Sequence, residues 1–94
     1  MHNKKICRLD DLPSMGENLF VADEDDPTFR LVNVTLRRCM FVRVGFKNAR
    51  FEKVGFNQCV FEDCYFRKSD FHDVDLTGSF FKDCNLERAS FEAT

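Results

Sequence analysis

Four cysteines of this chain recur at a spacing that could bring their sulfur atoms together. Cys39 and Cys59 are twenty residues apart, as are Cys64 and Cys84, and Cys7 is the fifth cysteine. Four thiolates are a common ligand set for zinc, and two neighbouring thiols can form a disulfide. These four positions are also where a five-residue pattern places small residues between phenylalanines, and cysteine packs as a small apolar residue. We therefore predict no metal site, no cofactor, and reduced thiols in a cytoplasmic protein.

The other polar residues give no recognisable catalytic arrangement. His2 is terminal and His72 lies among charged surface positions, so the two histidines are not expected to share a site. The acidic run at residues 22–27 lacks the spacing and central glycine of a calcium loop, and we interpret it as a solvated turn. The sequence contains neither a glycine-rich phosphate loop nor a clear nucleophile–base pair. We predict a protein that is not an enzyme and has no catalytic residues.

The elements that carry these residues follow a strict period of five. A smaller residue stands two positions before each large apolar residue, as Cys39 does before Phe41. A helix favours a period of 3.6 and a strand a period of 2, so a period of five indicates a chain that turns a corner after every five residues. The large residues are Leu36, Phe41, Phe46, Phe51, Phe56, Phe61, Phe66, Phe71, Leu76, Phe81, Leu86 and Phe91.

This pattern resembles the pentapeptide-repeat family, whose motif is Ala-(Asp/Asn)-Leu-x-x. The segments at residues 49–53, 69–73 and 84–88 match it closely, although phenylalanine replaces leucine at most central positions. The resemblance implies an all-β, right-handed quadrilateral β-helix with four pentapeptides per coil. The twelve repeats at residues 34–94 then form about three coils, and position n lies under position n+20. Consistent columns such as Val34, Val54 and Val74 support the twenty-residue coil.

Residues 1–33 fall outside the repeat and are expected to form a short irregular or helical N-terminal cap. Leu12, Met15 and Leu19 could share one helix face, and Phe29 could close the first coil as a plug. At the other end, Phe91 is followed by only three residues. We expect either a fragment of a longer chain or a homodimer formed through the C-terminal coil end.

Charge is distributed unevenly along the chain. Residues 1–33 carry four Lys or Arg against seven Asp or Glu, and residues 34–94 carry ten against nine. Proteins that bind nucleic acid directly usually carry a basic stripe, and this nearly neutral repeat region has none, so we expect no direct binding of nucleic acid. No run of about 18 apolar residues predicts a membrane span.

One outward column of the predicted coils is apolar. It contains Met40, Val60 and Phe80, with Val42 beside them, and these four residues are the candidate partner-binding site. Contiguous apolar surface often marks a contact site. Three interpretations remain open: residues 1–33 cover this face through Leu19, Phe20 or Phe29; a protein partner or second copy covers it; or the column has no function.

The leading hypothesis is a non-catalytic protein–protein interaction module, as a fragment or N-terminal domain of a larger protein, with a partner of unknown identity. The family resemblance implies an alternative in bacteria, because some members imitate DNA and bind a type II topoisomerase, protecting or inhibiting gyrase. A further alternative is a purely structural or designed solenoid.

Overall fold

The chain folds into twelve short parallel strands in a computed structural model that describes residues 4–94. A single 3₁₀ turn, Leu9–Asp11, is the only helical element among these residues. No described segment forms a helix with the length and apolar character needed to cross a membrane. The strands are β1 Lys5–Ile6, β2 Met15–Glu17, β3 Leu19–Ala22, β4 Arg30–Val32, β5 Thr35–Arg37, β6 Met40–Val42, β7 Arg50–Glu52, β8 Gly55–Asn57, β9 Val60–Glu62, β10 Asp70–His72, β11 Phe80–Lys82 and β12 Ser90–Glu92.

A sharp corner ends each five-residue unit. From Asn33 to Ala93 every fifth residue has a positive φ, between 51° and 74°. Asparagine and aspartate enter this left-handed region more readily than other residues with a side chain, and they occupy several corners. Gly78, with a φ of 74°, takes one corner without any side-chain clash. These corners keep the strands to two to four residues.

Four such units complete a coil, and the coils stack in parallel. Phe41 pairs with Phe61 and Phe61 with Phe81, in a twenty-residue register. Three sides of the coil are the sheets β1-β3-β6-β9-β11, β4-β7-β10-β12 and β2-β5-β8. The fourth side is a row of isolated bridges that joins Asp25, Gly45, Tyr65 and Asn85. The predicted all-β quadrilateral β-helix is therefore confirmed.

Phenylalanine rings fill the interior. Rings one coil apart stack with centroids separated by 4.6–5.0 Å and planes inclined by 10–25°. Rings on adjacent sides of a coil meet edge to face, as Phe56 and Phe61 do at 5.0 Å. Leu36 and the seven central phenylalanines from Phe41 to Phe71 are at most 1% exposed. In the last coil, Leu76, Phe81 and Leu86 are partly buried and Phe91 is 46% exposed.

The coil register begins earlier in the chain than the boundary at residue 34 that the sequence suggests. Met15 pairs with Thr35, and Arg30 pairs with Arg50. The pattern is hidden at residues 15–33 because the sizes of the inward residues change. Leu19 and Phe29 take positions that are small in later coils, whereas Gly16 takes a central position. Both Leu19 and Phe29 are only 8% exposed.

A separate cap covers the first coil. Strand β1 pairs in parallel with β3, and the 3₁₀ turn buries Leu9 to 2% exposure. The backbone N–H of Leu9 donates a 2.8 Å hydrogen bond to the Glu24 carboxylate, which ties the cap to the coil. Of the two alternatives for this segment, the helical one is not found in the described residues, where β2 and β3 occupy the sequence around Met15 and Leu19. Phe29 fills the interior as expected of a plug, with its ring 5.7 Å from that of Phe46.

Candidate interaction face

The apolar column runs along one side of the β-helix over five stacked strands. We define it as Ile6, Phe20, Met40, Val60 and Phe80, which pair successively in the five-stranded sheet. Ile6 is 81% exposed and Phe80 is 67% exposed, while the three residues between them are partly buried. Outward positions of a parallel strand repeat on every coil, so the column forms one continuous stripe.

The described N-terminal residues, from Lys4 onward, extend this column and do not cover it. Phe20 pairs with Met40 and forms a further row of the same stripe. Leu19 and Phe29 point into the core, so neither shields this face. The interpretation in which residues 1–33 fold back over the stripe is therefore wrong for the described residues. Sequence reasoning named Phe20 only as a residue that could cover this face and missed Ile6. Leu19 at a usually small position hid the register of Phe20, and Ile6 pairs outside the twenty-residue register.

Val42 differs from the other candidate binding residues. Its side chain is only 6% exposed, so the expectation that it contributes to an open strip is corrected. Val42 lies between its column neighbours Ala22 and Glu62, which pair with it from the coils on either side. A short branched side chain between two such neighbours offers little surface to a partner.

An open groove of about 700 Å³ lies beside the apolar column. Its floor consists of Phe20, Met40 and Val60. Its wall consists of the corner residues on one side and the N-terminal residue nearest to them: Lys4, Asn18, Arg38 and Gln58. Lys4 Nζ donates a 2.5 Å hydrogen bond to the Arg38 carbonyl, which holds the lysine at this wall.

The opposite flank of the stripe has a different charge. Arg43 donates hydrogen bonds of 2.5 and 3.1 Å to the two carboxylate oxygens of Asp23 on the preceding coil. This bond from Arg43 lowers the pKa of the Asp23 carboxyl. Glu62 and Asp63 follow on the next coil. The stripe therefore separates a cationic wall from a flank that carries both signs of charge.

The cysteines are all free, and none contributes to the stripe. Cys39, Cys59 and Cys64 are at most 2% exposed inside the coil. The neighbouring thiols of Cys39 and Cys59 influence each other, which lowers the pKa of Cys39 and raises that of Cys59. Burial raises the pKa of Cys64 to about 12. Within residues 4–94, no three His, Cys, Asp or Glu side chains converge to hold a metal ion.

The histidine and the acidic run have structural contacts. His72 Nδ1 lies 3.3 Å from a carboxylate oxygen of Glu92 on the next coil, on an exposed face. Asp26 accepts a 3.2 Å hydrogen bond from the backbone N–H of Thr28. Asp25 forms a parallel bridge with Gly45 of the next coil, so the acidic run lies on the fourth side of the first coil. His2 lies outside the described residues.

The fold and its outward columns define a class of protein, a four-sided solenoid of five-residue repeats with a solid core. The chain belongs to the pentapeptide-repeat family, because the family described as "Pentapeptide repeat region" matches residues 30–94, more than two thirds of the chain. The predicted resemblance is thus confirmed. None of the curated proteins compared with the chain matches it.

Proposed function

We propose that this chain is a non-catalytic protein-interaction module whose partner contacts the apolar column. The observation that carries the proposal is the continuity of the column along five strands, with exposed side chains at both of its ends. The equivalent outward columns on the other sides contain polar, charged or glycine residues at most positions. A contiguous apolar stripe with polar borders is typical of a protein contact site.

The scaffold suits such a role because its inward and outward residues are independent. The inward phenylalanines specify the coil, so outward residues can vary without loss of the core. A rigid face also loses little conformational entropy when a partner binds. The burial of three cysteines as free thiols supports the further proposal that the protein works in a reducing, cytoplasmic compartment.

Affinity capture with matched surface variants tests the proposal. Phe80→Asp places a charge in the column, and Tyr65→Asp places the same charge at the equivalent position of another side, where Tyr65 is 40% exposed. We expect a partner that the original chain and Tyr65→Asp retain and that Phe80→Asp loses. Circular dichroism checks that both variants keep the fold. Equal capture by all three proteins would exclude the column as the binding face.

The topoisomerase hypothesis ranks lower because the charges on the faces alternate. Arg43 beside Asp23, and Arg67 with Nε 3.0 Å from the Glu87 carboxylate, interrupt any acidic track along the coils. A DNA mimic requires a continuous negative potential. Inhibition or protection of gyrase in a supercoiling assay would revive this alternative.

Self-association through the last coil is a separate proposal, in which the partner is a second copy of this chain. Phe91 is 46% exposed there and stacks on Phe71 with a centroid distance of 4.6 Å. A second copy could continue this ring stack. Light scattering over a range of concentrations tests it: a dimer that Phe91→Asp dissociates supports the coil-end contact, and a monomer at all concentrations contradicts it.

A further inference from the structure

We infer that the groove beside the apolar column binds an acidic amphipathic α-helix of a partner protein. This inference rests on the proposed interaction role and adds the chemistry of the partner. The groove combines an apolar floor with a wall that contains two cations, two amides and no carboxylate. An occupant that complements both surfaces carries an apolar stripe with acidic residues beside it.

The cationic wall is the first argument. The hydrogen bond from Lys4 Nζ to the Arg38 carbonyl holds the Lys4 ammonium at this wall. Glu17 does not line the groove but forms an ion pair with Arg38 and offsets part of its charge, so Lys4 is the main source of positive charge at the wall. Asn18 and Gln58 add amide N–H donors, which also favour carboxylate acceptors. A basic partner would meet like charges at this wall.

The spacing of the floor is the second argument. Stacked residues on successive coils repeat every 4.6–5.0 Å, as the core rings show. A helix that lies along the column presents a side chain about every 5.4 Å, which stays close to this spacing over three rows. An extended segment presents one about every 6.7 Å on each face and loses the register after two rows. The column therefore matches a helix better than a strand.

The shape of the face is the third argument. A three-residue strand is about 10 Å long, which matches the diameter of about 10–12 Å of an α-helix. The described residues of this chain contain no α-helix, so a second copy of them cannot supply the occupant. We therefore assign the groove to a different polypeptide.

Synthetic peptides provide the direct test. The probe is a labelled peptide of about 16 residues, long enough for four helical turns. It has leucine at every third or fourth position and glutamate beside this stripe. A counterpart replaces every glutamate with lysine. Fluorescence anisotropy should show the acidic peptide binding about tenfold more tightly, the factor that two surface ion pairs of about 0.7 kcal/mol supply.

Variants of the wall and floor sharpen this test. Gln58→Glu adds a negative charge in an almost isosteric side chain, and Gln58→Lys adds a positive charge at the same corner. We expect weaker and tighter binding of the acidic peptide, respectively, by about threefold each. Val60→Asp should abolish binding, and Tyr65→Asp should leave it unchanged. Thermal melts verify that each variant is folded.

Two results separate this inference from the proposed function. Equal binding of the acidic and basic peptides, or no response to the Gln58 variants, would overturn the acidic-helix assignment. If Phe80→Asp still abolishes capture of a partner in that case, the interaction role stands without the helix. If capture is also insensitive to Phe80→Asp, both proposals fail.

Discussion

The Ser79 hydroxyl joins two coils by bonding to the backbone of Cys59. The N–H of Cys59 donates a 2.9 Å hydrogen bond to Ser79 Oγ, and this hydroxyl donates a 2.5 Å bond to the Phe56 carbonyl. Cysteines at equivalent corners make the second contact: the thiols of Cys64 and Cys84 lie 3.3 and 3.1 Å from carbonyl oxygens 23 residues earlier. The small inward residue thus bridges stacked coils at these corners.

Ser79→Ala is expected to destabilise the protein by about 1–3 kcal/mol, because it leaves the Cys59 N–H buried without this acceptor. Urea unfolding followed by circular dichroism measures the change. Ser69→Ala is the matched control, since the Phe66 carbonyl that accepts from Ser69 Oγ also accepts from the Ser69 N–H. A loss for Ser69→Ala as large as that for Ser79→Ala would contradict the bridging role.

These corners show what the sequence could predict about the cysteines and what it could not. The five-residue period places Cys59 and Cys64 inside the coil among phenylalanines, and the structure buries them there. Their hydrogen bonds to Leu36 and Phe41 depend on the path of the backbone around a corner, which a one-dimensional pattern does not contain. The five-residue pattern of large and small side chains therefore predicts the position of each thiol but not its contacts.

The candidate interaction face was predictable in the same partial way. The period identifies Met40, Val60 and Phe80 as one column, and the structure aligns them in adjacent strands. Ile6 was not predictable as a further row, since it joins through β1, whose pairing with β3 departs from the twenty-residue register. The groove wall was also not predictable, because Lys4 reaches it from the cap.

Phe61→Ala should be among the most destabilising changes in the core. Phe61 is fully buried and stacks between Phe41 and Phe81 at centroid distances of 5.0 and 4.9 Å. Its truncation should cost about 3–5 kcal/mol, because a cavity remains in a closely packed interior. Phe91→Ala, at a site that is 46% exposed and stacks on one ring, should cost less than half as much. Thermal and urea unfolding compare the two, and equal losses would contradict the packing argument.

Gly16→Leu should destabilise the protein although leucine or phenylalanine occupies the same position in later coils. A Cβ atom at Gly16 would lie 2.8 Å from Leu19 Cδ1 and 3.1 Å from Pro13 Cγ. Leu19, which stands at a position that is small in later coils, and Pro13 fill the space that a central residue uses elsewhere. Overpacking of this kind costs about 1–3 kcal/mol.

A matched glycine checks this interpretation by the same unfolding measurement. At Gly55 a Cβ atom would lie 3.3 Å from Asn57 Oδ1 and 3.4 Å from Thr35 Cγ2, so Gly55→Ala needs only a slight shift of polar side chains. We expect little change in the melting temperature of Gly55→Ala. A higher melting temperature for Gly16→Leu would show that Leu19 and Pro13 do not fill the interior beside Gly16.

Alkaline pH should weaken the fold through the buried thiol of Cys64. Burial raises its pKa from the ordinary 9.0 to about 12, so between these values the folded chain keeps a proton that the unfolded chain has lost. The contribution of this thiol to stability is therefore complete below pH 9 and falls as pH rises, by at most about 1.4 kcal/mol per pH unit.

Cys64→Ser isolates the effect, because a hydroxyl can still donate to the Phe41 carbonyl but does not ionise in this range. The unfolding free energy of the serine variant, measured from pH 8 to 11, should rise relative to that of the original chain. Parallel curves for the two proteins would mean that the Cys64 thiol ionises normally in the folded state.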